Sequence, residues 1–266
     1  MSPGTLVFVV LSLVSISLAS GHNEEIRLIK KLLENYPAEG GRPVANASDA
    51  VEVKLKLHLL DILSLDQEKK IFTTTGWLMQ QWTDSLLTWD ASNFGGVNYV
   101  LLDLMAIWRP DITLFNAIDK PELLQHVMAH VSSDGTVIIV EPYRFVTQCR
   151  GVTPDEKKPA CSLKFGSWAY DISRLKVSSL ESRVDIQFFE VNTEYEMLGS
   201  KIDAAERTYP CCPDTKYGHV EFTIELEKRK KEPKEDPNAS AAPTSTAMAT
   251  TVIALAALQM MLITQR

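Results

Sequence analysis

The spacing of apolar side chains changes once, near Pro37, and that change sets what the chain can fold into. Over Glu24–Asn35, the residues Ile26, Ile29, Leu32 and Leu33 recur at helical spacing, and Pro37 with Gly40 and Gly41 ends the run. Beyond it, Val51, Val53, Leu55 and Leu57 alternate with Glu52, Lys54, Lys56 and His58. Successive side chains on a strand point to opposite faces, so this pattern predicts a strand with one buried face and one wet face. The segments Trp77–Thr83, Val137–Glu141, Val184–Phe189 and Val220–Glu227 read as further strands, separated by turn clusters such as Ser132-Ser133-Asp134-Gly135. One helix followed by many short strands predicts an all-β fold, an antiparallel β-sandwich behind an N-terminal α-helix.

Both ends of the chain are apolar and differ from this centre. Met1–Ser20 carries no charged side chain, and its apolar run closes in Ser17-Leu18-Ala19, small residues at the places a secretory cleavage site needs. Residues 1–20 therefore read as a signal peptide. At the far end a charged, Pro-punctuated linker, residues 231–246, leads into a hydrophobic C-terminal tail, residues 247–264. Small residues at Asn238–Ala242, a polar spacer and a terminal apolar stretch make the pattern of a lipid-anchor signal. A retained single transmembrane segment is the alternative. Either way the domain between, residues 21–230, is expected outside the cell, secreted or attached to the outer face of the plasma membrane. About 210 residues suffice for one large β domain. The glycosylation triplets at Asn46 and Asn238 fit an exported chain.

Composition excludes some classes of function. With 27 Lys and Arg against 34 Asp and Glu, the formal charge of −7 argues against a nucleic-acid partner and suits a cationic ligand. No Gly-x-Ser-x-Gly, His-Glu-x-x-His or phosphate loop is present, and the five histidines have no metal-ligand spacing. The expectation is a binding protein with no catalytic residue, metal or cofactor.

Four cysteines sharpen this. Cys149 and Cys161 flank eleven largely polar residues, and a disulfide there would stabilise the fold by about 3 kcal/mol in the chain-entropy model. Cys211 and Cys212 are adjacent, which no ordinary tetrahedral zinc site uses. Local pairing, 149 with 161 and 211 with 212, is the expected arrangement for an exported chain. Free thiols, or pairing between the two groups, are the alternatives.

Around these cysteines lie Trp77-Leu-Met-Gln-Gln-Trp82-Thr83-Asp84, Trp108-Arg109-Pro110-Asp111-Ile112-Thr113-Leu114-Phe115-Asn116, Lys164-Phe165-Gly166-Ser167-Trp168, and Tyr209-Pro-Cys211-Cys212 with Tyr217 downstream. In this order the motifs resemble the extracellular ligand-binding domain of the Cys-loop receptors, specifically nicotinic acetylcholine receptor α-type subunits and acetylcholine-binding proteins. The resemblance implies a ten-stranded sandwich, assembled as a homopentamer or with related subunits. It implies a site for a small cationic, acetylcholine-like ligand at subunit interfaces. The principal face would supply Phe115, Trp168, Tyr209 and Tyr217, with Cys211 and Cys212 capping them. The complementary face of the neighbour would supply Trp77, His130, Ile138 and Val140. Trp82, Trp89 and Trp108 are assigned to packing.

Three departures from the family pattern stand out. Phe115 stands where a Tyr is usual, which removes a hydroxyl. His219 stands where receptors carry the Asp that pairs with the Lys matched by Lys164, so the acid of that gating-linked polar cluster is not matched at this position. The Cys149–Cys161 loop is short and lacks the apolar core that docks on a channel's membrane domain. After Arg229 a single hydrophobic segment follows, so the chain reads as a binding protein without a pore of its own; a truncated subunit that joins or modulates full-length channels is the second reading.

Overall fold

The computed structural model describes residues 20–34, 36–37, 41–192 and 194–229. The expectations for residues 1–19 and 230–266, including the signal peptide, the C-terminal tail and Asn238, lie outside the described residues. A helix, α1 (Ser20–Glu34), leads into eleven strands. In chain order these are β1 (Val51–Asp66), β2 (Ile71–Thr83), β3 (Tyr99–Asp103), β4 (Ile112–Leu114), β5 (Glu122–Leu123) and β6 (Met128–Ser132). They continue as β7 (Thr136–Gln148), β8 (Ala160–Ser167), β9 (Leu175–Ser179), β10 (Tyr195–Tyr209) and β11 (Cys212–Lys228). Against the ten strands expected, the additional one is accounted for by short pieces such as the two-residue β5.

The strands form two sheets, as the alternating pattern requires. The larger has the order β3–β6–β7–β2–β1–β9, with β5 also against β7, and the smaller has the order β10–β11–β8–β4. All pairs are antiparallel except β1 with β9. In β1 the residues Val51, Val53, Leu55, Leu57 and Leu59 are buried and the residues between them are not. Across the interior, Phe145 of β7 meets Phe165 of β8 edge-on at 5.7 Å, and Phe165 meets Phe222 of β11 at 5.9 Å. Edge-to-face contact suits the ring quadrupoles, so this ladder binds one sheet to the other. Near its lower end the Cys149–Cys161 disulfide, both residues buried, ties the end of β7 to the start of β8.

That cysteine loop is less solvated than its composition suggests. Val152 is buried, Gln67 donates from Nε2 to the carbonyls of Thr153 (3.1 Å) and Glu156 (2.8 Å), and the Lys228 amide donates to Lys157 (3.0 Å). The loop is thus held by its own domain.

Tyr36, just after α1, links two of the tryptophan motifs. Its hydroxyl donates to Asp84 Oδ2 at 2.5 Å and accepts from the Trp108 amide at 2.9 Å. Burial, and then the bond to Asp84, push the phenol above its ordinary range; burial likewise raises the Asp84 carboxyl. Trp82 and Trp108 pack edge-on at 6.0 Å inside the core, and Trp89 is half-buried with Nε1 donating to the Val97 carbonyl. These are the packing roles expected of them.

Two sequence expectations fail. In α1 the fully buried residue is Leu28, while Ile26 is exposed, so the buried stripe runs Leu28, Ile29, Leu32, Leu33. Val184–Phe189 is not a strand. It makes one bridge, Asp185 to His58, and then turns, with the Asp185 carboxylate accepting from the Gln187 amide and the Phe189 amide donating to Ile186. A side-chain bond of this kind offers the backbone an alternative to the ladder, and here it wins.

Candidate functional site

β8 leads Gly166 and Ser167 out of the smaller sheet to Trp168, and the turn that follows is built by one carboxylate. Asp111 Oδ1 accepts from Ser167 Oγ at 2.6 Å, and Asp111 Oδ2 accepts from the Ala169 amide at 2.7 Å. Ser167 Oγ in turn accepts from the Tyr170 amide at 2.8 Å, and the Trp168 amide reaches the Asp111 carbonyl at 3.4 Å. Bonds to an ionised acceptor are the stronger kind, so the turn is fixed while the indole it carries is left 73% exposed. An indole this large is rarely left in water without a partner.

Phe115 follows β4, and its ring lies 6.5 Å from Trp168. A Cβ on Gly166 would sit 2.7 Å from the Phe115 ring and 2.7 Å from the Gly218 carbonyl, so only glycine admits the ring at this place. Tyr209 and Tyr217 face each other across the β10–β11 hairpin, edge-on at 5.6 Å. Together with Trp168, Phe115 and Cys211 they rim a cleft of about 710 Å³ that continues down the outer face of β8 and β11 to Ala160 and Thr223. Every principal-face residue expected from the sequence is therefore gathered at one cleft or, for Cys212, beside it. Burial raises the Tyr217 phenol, with the cysteine pair adding to the effect.

The expected bond between Cys211 and Cys212 is not closed in this structure: their sulfurs stand 2.7 Å apart at the hairpin tip, longer than the ~2.05 Å of a disulfide yet well inside the contact distance of two unbonded sulfurs. Neighbouring Cα atoms across a trans peptide are about 3.8 Å apart, below the usual range for a disulfide, so closure demands backbone adjustment.

The polar cluster keeps its acid by another route. Lys164 Nζ meets Glu221 Oε2 at 2.8 Å, and Ser162 Oγ donates to Glu221 Oε1 at 2.6 Å. In register, Glu221 is directly opposite Lys164 while His219 is opposite Gly166, so the carboxylate has moved two residues along the same face of β11. Burial pulls the Glu221 carboxyl up, but the bonds from Lys164 and Ser162 outweigh it and the net direction is down. Burial, then the Lys164 charge, lower the His219 imidazole.

The other group of expected residues lies on the larger sheet and does not join this cleft within one chain. Trp77 is opposite Pro142, Val140 is opposite Met79, and Ile138 is opposite both Gln81 and His130. Cross-strand partners share a face, so Trp77, Val140, Ile138 and His130 form one surface. That surface continues into exposed Tyr99, Leu101 and Met128, with the His130 ring stacked on Tyr99 at 4.7 Å. Trp77 packs between His58 (5.8 Å) and Phe188 (5.4 Å). Phe188 was not legible as a neighbour of Trp77, because it was read as part of a strand. Asp111, Gly166 and Glu221 lay within quoted or adjacent motifs, but their contacts are tertiary. Asn46 is exposed, as glycosylation requires, in a turn where its amide donates to Asp49.

Among the described residues no group of His, Cys, Asp and Glu could hold a metal ion, and no helix is long and apolar enough to cross a membrane. A family model described as neurotransmitter-gated ion-channel ligand binding domain matches residues 25–230. Human neuronal acetylcholine receptor subunit alpha-4 is 35% identical over 207 residues, covering 75% of this chain and 32% of that one. Human subunit alpha-2 is 33% identical over 208 residues, 75% and 39% of the two chains, and chicken subunit alpha-4 is 33% identical over 219 residues, 77% and 35%. The chain spans about a third of the length of these relatives. It belongs to the neurotransmitter-gated ion-channel ligand-binding domain family, whose domains are not enzymatic, and is of the nicotinic receptor type.

Proposed function

We propose that this domain lies outside the cell and captures small quaternary or protonated amines in an aromatic cage completed by a neighbouring copy or a related subunit. A quaternary ammonium has no N–H to donate, so its specific attraction is to π faces, each worth about 0.5–2 kcal/mol. The observation that carries the reading is the cleft itself, where Trp168, Phe115, Tyr209 and Tyr217 present rings to one space and Trp168 remains open to solvent. Trp168 is the main cation contact. Tyr209 and Tyr217 close from the hairpin, with Cys211 and Cys212 at its tip, oxidised to a pair in the exported protein.

The Trp77 surface is the natural complement. It is largely apolar, half-exposed, and lies on the opposite sheet from the cleft, so a head-to-tail contact between copies brings the two together. Such contacts close into a ring when the rotation between copies permits it, and a ring of five is the arrangement the resemblance implies. The relatives are named as acetylcholine receptor subunits, which supports choline esters as the ligand class.

Quenching of tryptophan fluorescence by acetylcholine or nicotine tests the reading on the full chain. Saturable quenching is expected. Absence of any response up to millimolar ligand would contradict it and favour the second reading, a subunit that serves assembly with related channels. The exposed Tyr99, Leu101, Met128 and Val140 surface is the feature that supports that alternative.

A further inference from the structure

The cleft is more positive than a site for a simple cation should be. Of the charged residues lining it, Arg150, Lys164 and Arg207 are cations and Glu221 is the single carboxylate, already held by Lys164 and Ser162. Elsewhere on the same sheet each lysine with an acid in reach has taken it: Lys201 holds Asp203 at 2.8 Å and Lys216 holds Glu206 at 3.1 Å. Arg207 differs. It is directly opposite Tyr217 in the β10–β11 ladder, it lines the cleft, and among the described residues no carboxylate pairs with it. Its neighbour Glu206, one position along the strand, points to the other face and is taken by Lys216.

A guanidinium beside the aromatic rings repels a bare ammonium. It offers a planar two-toothed fork to a carboxylate or phosphate. We infer that the cleft selects a zwitterion, a ligand whose ammonium enters the rings of Trp168, Phe115, Tyr209 and Tyr217 while an oxyanion on a short arm is held by Arg207. This rests on the proposed cation site and adds the chemistry of the ligand's other end. Arg150 lines the lower part of the same cleft, donating to Gln148 at 3.0 Å, and adds to the field that favours an anion.

Calorimetric titration of the full chain with choline, 4-(trimethylammonio)butanoate and phosphorylcholine tests this. Both zwitterions are expected to bind about tenfold more tightly than choline, the gain of a charge-assisted bond at a partly exposed site. Arg207→Gln should remove that preference and leave choline binding equal or slightly tighter, while Arg207→Lys should keep part of it. Co-sedimentation with phosphatidylcholine vesicles would identify a lipid headgroup as the source of the zwitterion, and its absence a free solute. The inference is overturned if choline binds and the zwitterions bind no better. It is overturned equally if Arg207→Gln weakens all three alike or reduces the assembly size, which would assign Arg207 to an acid of the neighbouring copy. If none of the three binds, the cation site itself is wrong.

Discussion

Trp168 and Trp77 sit on opposite sheets and are treated in opposite ways. Trp168 stands on a turn fastened by Asp111, with its indole left in solvent above a cleft. Trp77 lies on a flat sheet surface, half-buried between His58 and Phe188. One region invests hydrogen bonds in holding a ring away from the core; the other keeps its ring low among apolar neighbours. The contrast teaches that a cleft rimmed by aromatic rings and a largely apolar sheet surface occur in one chain without meeting, as the two halves of the proposed site would.

The contrast can be broken first by exchanging which tryptophan is lost. Trp82→Ala, at a ring only 2% exposed, is expected to cost about 3–5 kcal/mol of stability, seen as a lower denaturant midpoint. Trp168→Ala should leave that midpoint nearly unchanged and weaken amine binding by about 2 kcal/mol, roughly thirtyfold. Comparable destabilisation by both would mean that Trp168 is a packing residue. Asp111→Ala should fall between them, costing about 1–3 kcal/mol by stranding Ser167 and the Ala169 amide, with binding lost through the displaced Trp168. A milder change sharpens the principal side alone: Phe115→Tyr restores a hydroxyl and should tighten binding by about 0.5–1.5 kcal/mol.

The smallest expected effect is on pH dependence, and it touches both regions. Burial lowers the imidazoles of His58, beside Trp77, and of His219, in the cleft, from the ordinary 6.5. A depressed histidine binds fewer protons folded than unfolded. Stability is therefore intact above pH 6.5 and falls as the pH drops below it. Melting temperature followed from pH 7.5 to 5 should show this decline, reduced in His58→Gln. Nearby Asp185, which pairs with Lys56 at 2.8 Å and lies 3.2 Å from His58 Nδ1, tempers the loss by favouring the protonated ring.

Much of the fold is legible in the sequence, because burial on one face writes itself into the sequence as alternation. β1 is the clearest case, and the single terminal helix with its Pro37 stop is another. Val184–Phe189 was misread since Val, Ile and Phe at every second place imitate a strand when an aspartate turn sets the backbone. Ile26 and Leu28 were exchanged because helical periodicity gives a stripe two residues wide and not its centre. At the site, the aromatic residues were legible through their motifs, whereas the Glu221 partner of Lys164 was not. Its discovery needs the β8–β11 register, which places an acid two residues from the expected position directly across from the lysine. The oxidation state of Cys211 and Cys212 is likewise beyond the sequence, which counts thiols without fixing how they pair.

That two protomers share one site can be tested by complementation. Full chains carrying Trp168→Ala and full chains carrying Trp77→Ala are each assembled alone and then co-expressed in equal amounts. Amine binding is then measured alongside the co-purification of two differently tagged copies. Each variant alone should bind little. In the mixture about one quarter of the head-to-tail interfaces join an intact Trp168 to an intact Trp77, so about a quarter of wild-type binding should return. Co-assembly without any recovery, or full binding by the Trp77→Ala chain on its own, would contradict a site built from two neighbours.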